Sequence, residues 1–207
     1  MKLKTKAFLA AMAAVVLLGC GPAAADETSA QAEFAENELI RETVYVEMDI
    51  KDYGKVKLEL DGETAPITVT NFVNLVNKGF YDGLTFHRIM DGFMVQGGDP
   101  QGDGYGGSGK TIKGEFSQNG VENNISHTTG TISMARGAYD MDSASSQFFI
   151  CVADDIFLDG NYAAFGHVTE GMDAILQIAK DAKPLDDNGT IDKKEQPVIN
   201  SIKVVEG

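Results

Sequence analysis

The sequence has no tryptophan and, in 207 residues, only five prolines, two cysteines and three histidines. Two cysteines rule out a disulfide scaffold. The histidines (His87, His127 and His167) show no metal-ligand spacing, so no metal is expected. No serine lies in a nucleophile elbow. Basic residues are scarce: 17 Lys and Arg face 31 Asp and Glu, a formal charge of -14. Nucleic acid is therefore not an expected partner, because phosphate binding needs a basic face. The longest uncharged apolar run, Ala7–Leu18, falls short of the ~20 residues that span a bilayer. Glycine, by contrast, is plentiful at 23 residues, which implies many tight turns. The length suits one domain with a sizeable core.

Residues 1–19 read as a secretory leader. Lys2, Lys4 and Lys6 form a basic start and Ala7–Leu18 the apolar segment. The segment ends Leu17-Leu18-Gly19-Cys20, which resembles the lipobox of bacterial lipoproteins. That resemblance implies lipidation of Cys20 and an extracytoplasmic domain anchored to a bacterial membrane. An ordinary leader cleaved near Ala25 is the alternative. Residues 20–41 are small, polar and acidic and are expected to be a flexible tether, holding the domain a root-mean-square ~25 Å from its anchor, with a short helix in the later part as the alternative. Cys151, in an apolar run, is expected to be a buried small hydrophobe.

Residues 42–207 carry the folded domain. Thr43–Ile50 alternates apolar and polar residues as a half-buried strand does, and Lys55–Leu60 is its return strand. Pro66 suits a helix start, and Val69, Phe72, Val73 and Val76 follow at helical spacing. Further strands are expected over Gly130–Ala135, Gln147–Val152, Ala163–Val168 and Pro197–Val205, with a second helix over Gly171–Lys180.

Three stretches imitate ligand sites. Gly104–Thr111, GYGGSGKT, fits the phosphate-loop pattern, but no buried strand feeds it and no helical stripe leaves it, so nucleotide is not expected. Asp140 and Asp142 lack further ligands nearby in sequence. Pro184–Glu195 resembles a calcium loop but begins with proline and lacks flanking helices; it reads as an acidic turn.

Two stretches carry the chemistry. Phe86–Asp99, FHRIMDGFMVQGGD, reads as strand, Asp91-Gly92 turn and strand. Strict alternation would put Phe86, Arg88 and Met90 on one face and His87 and Ile89 on the other. An arginine among apolar side chains is either paired or used, unless it snorkels to the rim of a core. Ser145–Cys151, SSQFFIC, sets Gln147 beside two phenylalanines. Together the two stretches resemble the cyclophilin family of peptidyl-prolyl cis/trans isomerases. GTISMA at Gly130–Ala135, FLDG at Phe157–Gly160 and AFGH at Ala164–His167 add to the likeness, which runs from about Val44 to the C-terminus.

The resemblance implies a mainly β fold: a closed eight-stranded antiparallel barrel capped by two helices, with the site on its outer surface. It implies isomerisation of X–Pro bonds in proline-containing polypeptides, by a monomer and without cofactor, in aid of folding secreted or envelope proteins. Arg88 matches the catalytic arginine. Phe93, Met94, Phe149 and Leu158 match the proline slot, and Gln96 and Gln147 the amides that hold the arginine and the substrate backbone. Ala135 and Arg136 match the positions beside the residue before proline. Phe157 takes the place of a usual tryptophan, Tyr162 of a histidine and Arg136 of an asparagine. The missing indole implies weak inhibition by cyclosporin, and Arg136 a preference for acidic residues before proline. The same residues would also serve a non-catalytic module or chaperone that binds proline segments; an intact Arg88 favours the enzyme.

Overall fold

A computed structural model describes residues 30–207. The leader, Cys20 and the start of the tether lie outside the described residues. The order of elements is β1 (Ala30–Gln31), β2 (Thr43–Ile50), β3 (Gly54–Asp61), α1 (Pro66–Asn77), β4 (Thr85–Met90), β5 (Met94–Asp99), β6 (Lys110–Thr111), β7 (Thr131–Met134), β8 (Phe148–Cys151), β9 (Ala164–Glu170), α2 (Met172–Asp181) and β10 (Ile199–Val205). Short 3₁₀ turns at Ser117–Asn119 and Ile156–Leu158 sit in the loops.

Eight strands form one antiparallel sheet in the order β10-β2-β3-β9-β7-β8-β5-β4. Its first hairpin is in register over its full length, from Thr43 opposite Asp61 to Ile50 opposite Gly54. The alternation there places Val46, Met48 and Ile50 against Val56, Leu58 and Leu60 in the core. The expected closed barrel is corrected: the sheet is an open half-barrel whose ladder ends at β4 and β10. Those edges are linked by a single bridge between Thr85 and Val198 and by main-chain bonds such as Phe86 N–H to Pro197 O, at 3.0 Å. Pro197 has no N–H to give, so a ladder cannot continue through it.

Helix α1 packs its buried side, Val69, Phe72, Val73 and Val76 included, against β3 and β10. Its N-cap, Ala65, has no side-chain oxygen. The orphan amides of Ile67 and Thr68 donate instead to the buried carboxylate of Glu115, at 3.0 and 2.8 Å. Helix α2 buries Ile175, Ile178 and Ala179.

The expected tether is docked over its later part. β1 pairs in parallel with β6, and Phe34 and Ile40 pack onto the core. The amide of Ile40 donates to Thr70 Oγ1 at 2.8 Å. Apolar contacts of Ala32, Phe34 and Ile40 with the core, the β1–β6 pairing and the Ile40 hydrogen bond together hold it down.

Candidate active site

Strands β5 and β8 divide their apolar side chains between two clusters, and β7 adds to the inner one. Val95, Ile132, Met134, Phe148 and Ile150 point into the main core. Met94, Phe149 and Cys151 point the other way and join Leu158 in a small separate cluster, flanked by Met90, Phe93, Ala135 and Tyr162. The period of two that separates inner from outer residues thus builds a greasy slot on the outside of the sheet. Gly97 and Gly98 permit the close strand packing beneath it. A Cβ on Gly97 would lie 2.8 Å from Phe86, and one on Gly98, whose φ is +84°, 2.5 Å from Ser146 O.

Strand β4 departs from simple alternation. Register shifts on either side of Phe86 turn that residue into the core with Ile89, while Arg88 and Met90 face the slot. The expectation that Phe86 shares Arg88's face is corrected by this bulge, which rotates the following side chains. The turn is longer too: Met90 pairs with Met94, so Asp91, Gly92 and Phe93 form it. Phe93 is thereby released to lie under Arg88, its ring centroid 5.8 Å from the guanidinium carbon.

Arg88 is held at every nitrogen. Nε donates to Asn188 O at 2.7 Å and Nη1 to Gln96 Oε1 at 3.1 Å, while Nη2 lies 3.3 Å from Met90 Sδ. Burial pulls its pKa below the ordinary value, yet an arginine keeps its charge in such a setting. Gln96 Nε2 passes the contact on to Gln147 Oε1 at 2.9 Å, and Gln147 Nε2 donates to the carbonyls of Gly104 and Gly106 at 3.0 and 2.8 Å. The glycine loop that mimics a phosphate loop is therefore a bracket for Gln147. Asp99, buried at its root, shapes it by accepting the amides of Gln101, Asp103 and Gly104. Burial alone would raise the Asp99 pKa, but these amides bring it below the usual range.

The slot's far wall is aromatic. Phe149 meets Tyr162 edge-on with centroids 5.9 Å apart, and Phe157 stacks on Phe93 at 5.7 Å. The Ala135 amide donates to Gln147 O at 3.0 Å, so its carbonyl, not its N–H, is the group left for a ligand. The guanidinium of Arg136 sits between Tyr162 and Phe116, at 4.8 and 5.2 Å, and its Nε donates to Asn161 O at 3.0 Å. All of Arg88, Phe93, Met94, Gln96, Ala135, Arg136, Gln147, Phe149, Phe157, Leu158 and Tyr162 thus lie along one groove.

Sequence reasoning missed two supports. His127, a core histidine at 1% exposure, lies stacked under Phe149 at 6.0 Å, a supporting role that no sequence pattern marked. Its Nδ1 is 2.8 Å from Asp159 Oδ1 and its Nε2 2.9 Å from Ser133 Oγ. Burial lowers its pKa, though Asp159 pulls the other way, and the ring is a spacer fixed at both nitrogens. The FLDG stretch held the signal for Asp159. The other support is the Asn188 carbonyl in the acidic turn; a main-chain oxygen leaves no mark on residue type. Beneath the slot, Asp155 is 4% exposed and its Oδ2 has no partner among the described residues. Burial, tempered by the Cys151 thiol and aided by Asp154, pushes its carboxyl up to about 6.

The arrangement suits rotation about a bond better than cleavage of one. Resonance makes the X–Pro bond stiff, with a barrel-high barrier of ~18–20 kcal/mol. On twisting, the proline nitrogen regains a lone pair, so a fixed charged donor beside a dry apolar slot stabilises the twisted state more than either ground state.

The family model for cyclophilin type peptidyl-prolyl cis-trans isomerases matches residues 45–206. Peptidyl-prolyl cis-trans isomerase B of Bacillus subtilis is 46% identical over 124 residues, covering 60% of this chain and 82% of that protein. A peptidyl-prolyl cis-trans isomerase of Helicobacter pylori is 42% identical over 148 residues, covering 70% of this chain and 86% of the other. The crystal structure of a cyclophilin type isomerase from Cryptosporidium parvum superposes with a TM-score of 0.70 at 28% identity, covering 80% of this chain and 99% of that one. The chain belongs to the cyclophilin-type peptidyl-prolyl cis-trans isomerases, and its reaction is rotation about the peptide bond that precedes proline.

Proposed function

We propose that Arg88 is the donor to the proline nitrogen, that Phe93, Met94, Phe149 and Leu158 seat the proline ring, and that Gln147 and the Ala135 carbonyl hold the flanking backbone. The observation that carries this reading is the Arg88 fork, fixed by Asn188 O and Gln96 at the mouth of a separate apolar cluster. Its geometry is set before substrate arrives, which is what lets a charged donor act without reorganisation. Support for the substrate class comes from a further Cryptosporidium parvum structure, determined in the presence of the dipeptide ala-pro, with a TM-score of 0.68 to this chain. The enzyme works as a monomer outside the cytoplasm, tethered through lipid on Cys20, and assists the folding of secreted or envelope proteins.

The test of the site is cis-to-trans isomerisation of a short Ala-Pro peptide by the full chain and by Arg88→Ala. A loss of ~10²–10³ in kcat/KM is expected, the size seen when a preorganised donor is removed; retention of full activity would remove Arg88 from the mechanism. The test of the anchor is membrane fractionation of Cys20→Ser, which should shift the protein to the soluble fraction. Unchanged membrane association would refute the lipid reading.

A further inference from the structure

Among the described residues, the exposed large apolar side chains are not scattered. Tyr105, Tyr139, Met141, Ile156, Phe157 and Leu185 all stand on loops that border the groove. Val204, on the edge strand β10, is the exception. Tyr105 lies between the two glycines whose carbonyls receive Gln147. Ile156 and Phe157 share the 3₁₀ turn of Leu158, and Phe157 stacks on Phe93. Leu185 opens the turn whose Asn188 carbonyl holds Arg88. Tyr139 and Met141 follow Arg136 in the loop that closes on Ser143.

These loops are not frayed. The Leu185 amide donates to Thr190 O at 2.8 Å, and Asp186 Oδ1 accepts the amides of Asn188 and Thr190 at 3.0 Å each. Ser143 Oγ donates to Asp140 O and accepts the amide of Gly137, while Asp142 accepts the amide of Gly114. Tyr139 is nonetheless 87% exposed and Leu185 66%. Ordered loops that hold apolar groups out to water around a binding groove mark a surface awaiting a partner. Charge follows the same contour. Each apolar rim group has aspartate beside it: Asp103 near Tyr105, Asp140 between Tyr139 and Met141, Asp154 near Ile156, and Asp186 with Asp187 after Leu185. The groove's own charges are the two arginines, Arg88 and Arg136. The site is thus positive at its centre and acidic and apolar at its rim.

We infer that the rim is a second binding zone for extended, non-native polypeptide, selecting segments in which apolar and basic side chains lie several residues to either side of the proline. This rests on the isomerase reading and is continuous with its groove. A tetrapeptide fills the centre alone; an unfolded chain also covers the rim.

The test uses the full chain and a triple variant, Tyr105→Ser, Tyr139→Ser and Leu185→Ser, with two substrates. One is an Ala-Pro tetrapeptide. The other is a basic protein whose refolding waits on one prolyl isomerisation. The variant should keep tetrapeptide kcat/KM within twofold, which also shows that it folds, and lose tenfold or more in refolding catalysis. A permanently unfolded basic polypeptide should inhibit tetrapeptide turnover by the parent, with an inhibition constant at least tenfold weaker for the variant. Equal refolding catalysis by parent and variant would overturn the inference, as would an equal fall on both substrates. A parent inactive on the tetrapeptide would instead sink the isomerase reading, and the rim proposal with it.

Discussion

Gln96 on β5 and Gln147, the residue that leads into β8, are joined amide to amide, Nε2 to Oε1 at 2.9 Å. The pairing links Arg88 on one side to the glycine loop on the other, so one side chain orients both the guanidinium and the Gln147 amide. Gln96→Ala removes a hydrogen bond to a charged group, worth about 1.5–3 kcal/mol. We expect kcat/KM for an Ala-Pro peptide to fall ~10–100-fold, with thermal stability kept because Gln96 lies on the slot side of the sheet. An unchanged rate would show that Asn188 O and Phe93 suffice to aim Arg88.

Arg136 tests specificity. Its guanidinium is clamped between Tyr162 and Phe116, so its charge has a fixed place at the slot, which the proposed reading sets beside the residue before proline. Peptides with Glu at that position should be turned over faster than peptides with Lys. Arg136→Ala should shrink the ratio by roughly fivefold, the worth of about 1 kcal/mol at a partly exposed site. A ratio insensitive to Arg136 would move the determinant elsewhere.

Asp155 sets a pH dependence of stability. Its folded pKa, about 6, is above the ordinary carboxyl value of 3.8. The folded state therefore binds its proton more tightly, and this group's contribution to stability rises as pH falls from about 6 towards 3.8. Above that window the buried charge destabilises. Asp155→Asn should raise Tm at pH 8 by about 2–4 °C, the shift made by about 1 kcal/mol in a domain of this size. The gain should shrink as pH falls through the window. A variant less stable than the parent at pH 8 would contradict the assignment.

Phe157 offers a test of inhibitor response. The side chain is exposed and stacked on Phe93, so a larger ring fits without repacking. Phe157→Trp restores the indole donor that the family resemblance associates with cyclosporin binding. Inhibition should tighten by ~2–10-fold, the value of a net hydrogen bond of about 0.5–1.5 kcal/mol, while peptide turnover changes little. Unaltered inhibition would place the weakness in Arg136 or Tyr162.

The parts of this molecule legible from sequence are those set by short-range patterns. Alternation in β2 and β3 gave the inward and outward sides of the first hairpin, and Pro66 with its apolar stripe gave α1. The bulge beside Phe86 was hidden because one residue of slippage leaves the composition unchanged. Sheet closure depended on whether Pro197 could continue a ladder between distant segments. The clamp on Arg136 needs Phe116 from another loop, and the grip on Arg88 needs a carbonyl, so neither has a local pattern. The docked segment before β2 was misjudged because Phe34 and Ile40 are few, and their partners are far along the chain.

Strands β5 and β8, which send Val95 and Ile150 one way and Met94 and Phe149 the other, make the sheet a partition between two chemical compartments. Substitutions on the inner side are tried against folding, and those on the outer side against substrate. The enzyme can therefore change which polypeptides it serves without renegotiating how it folds.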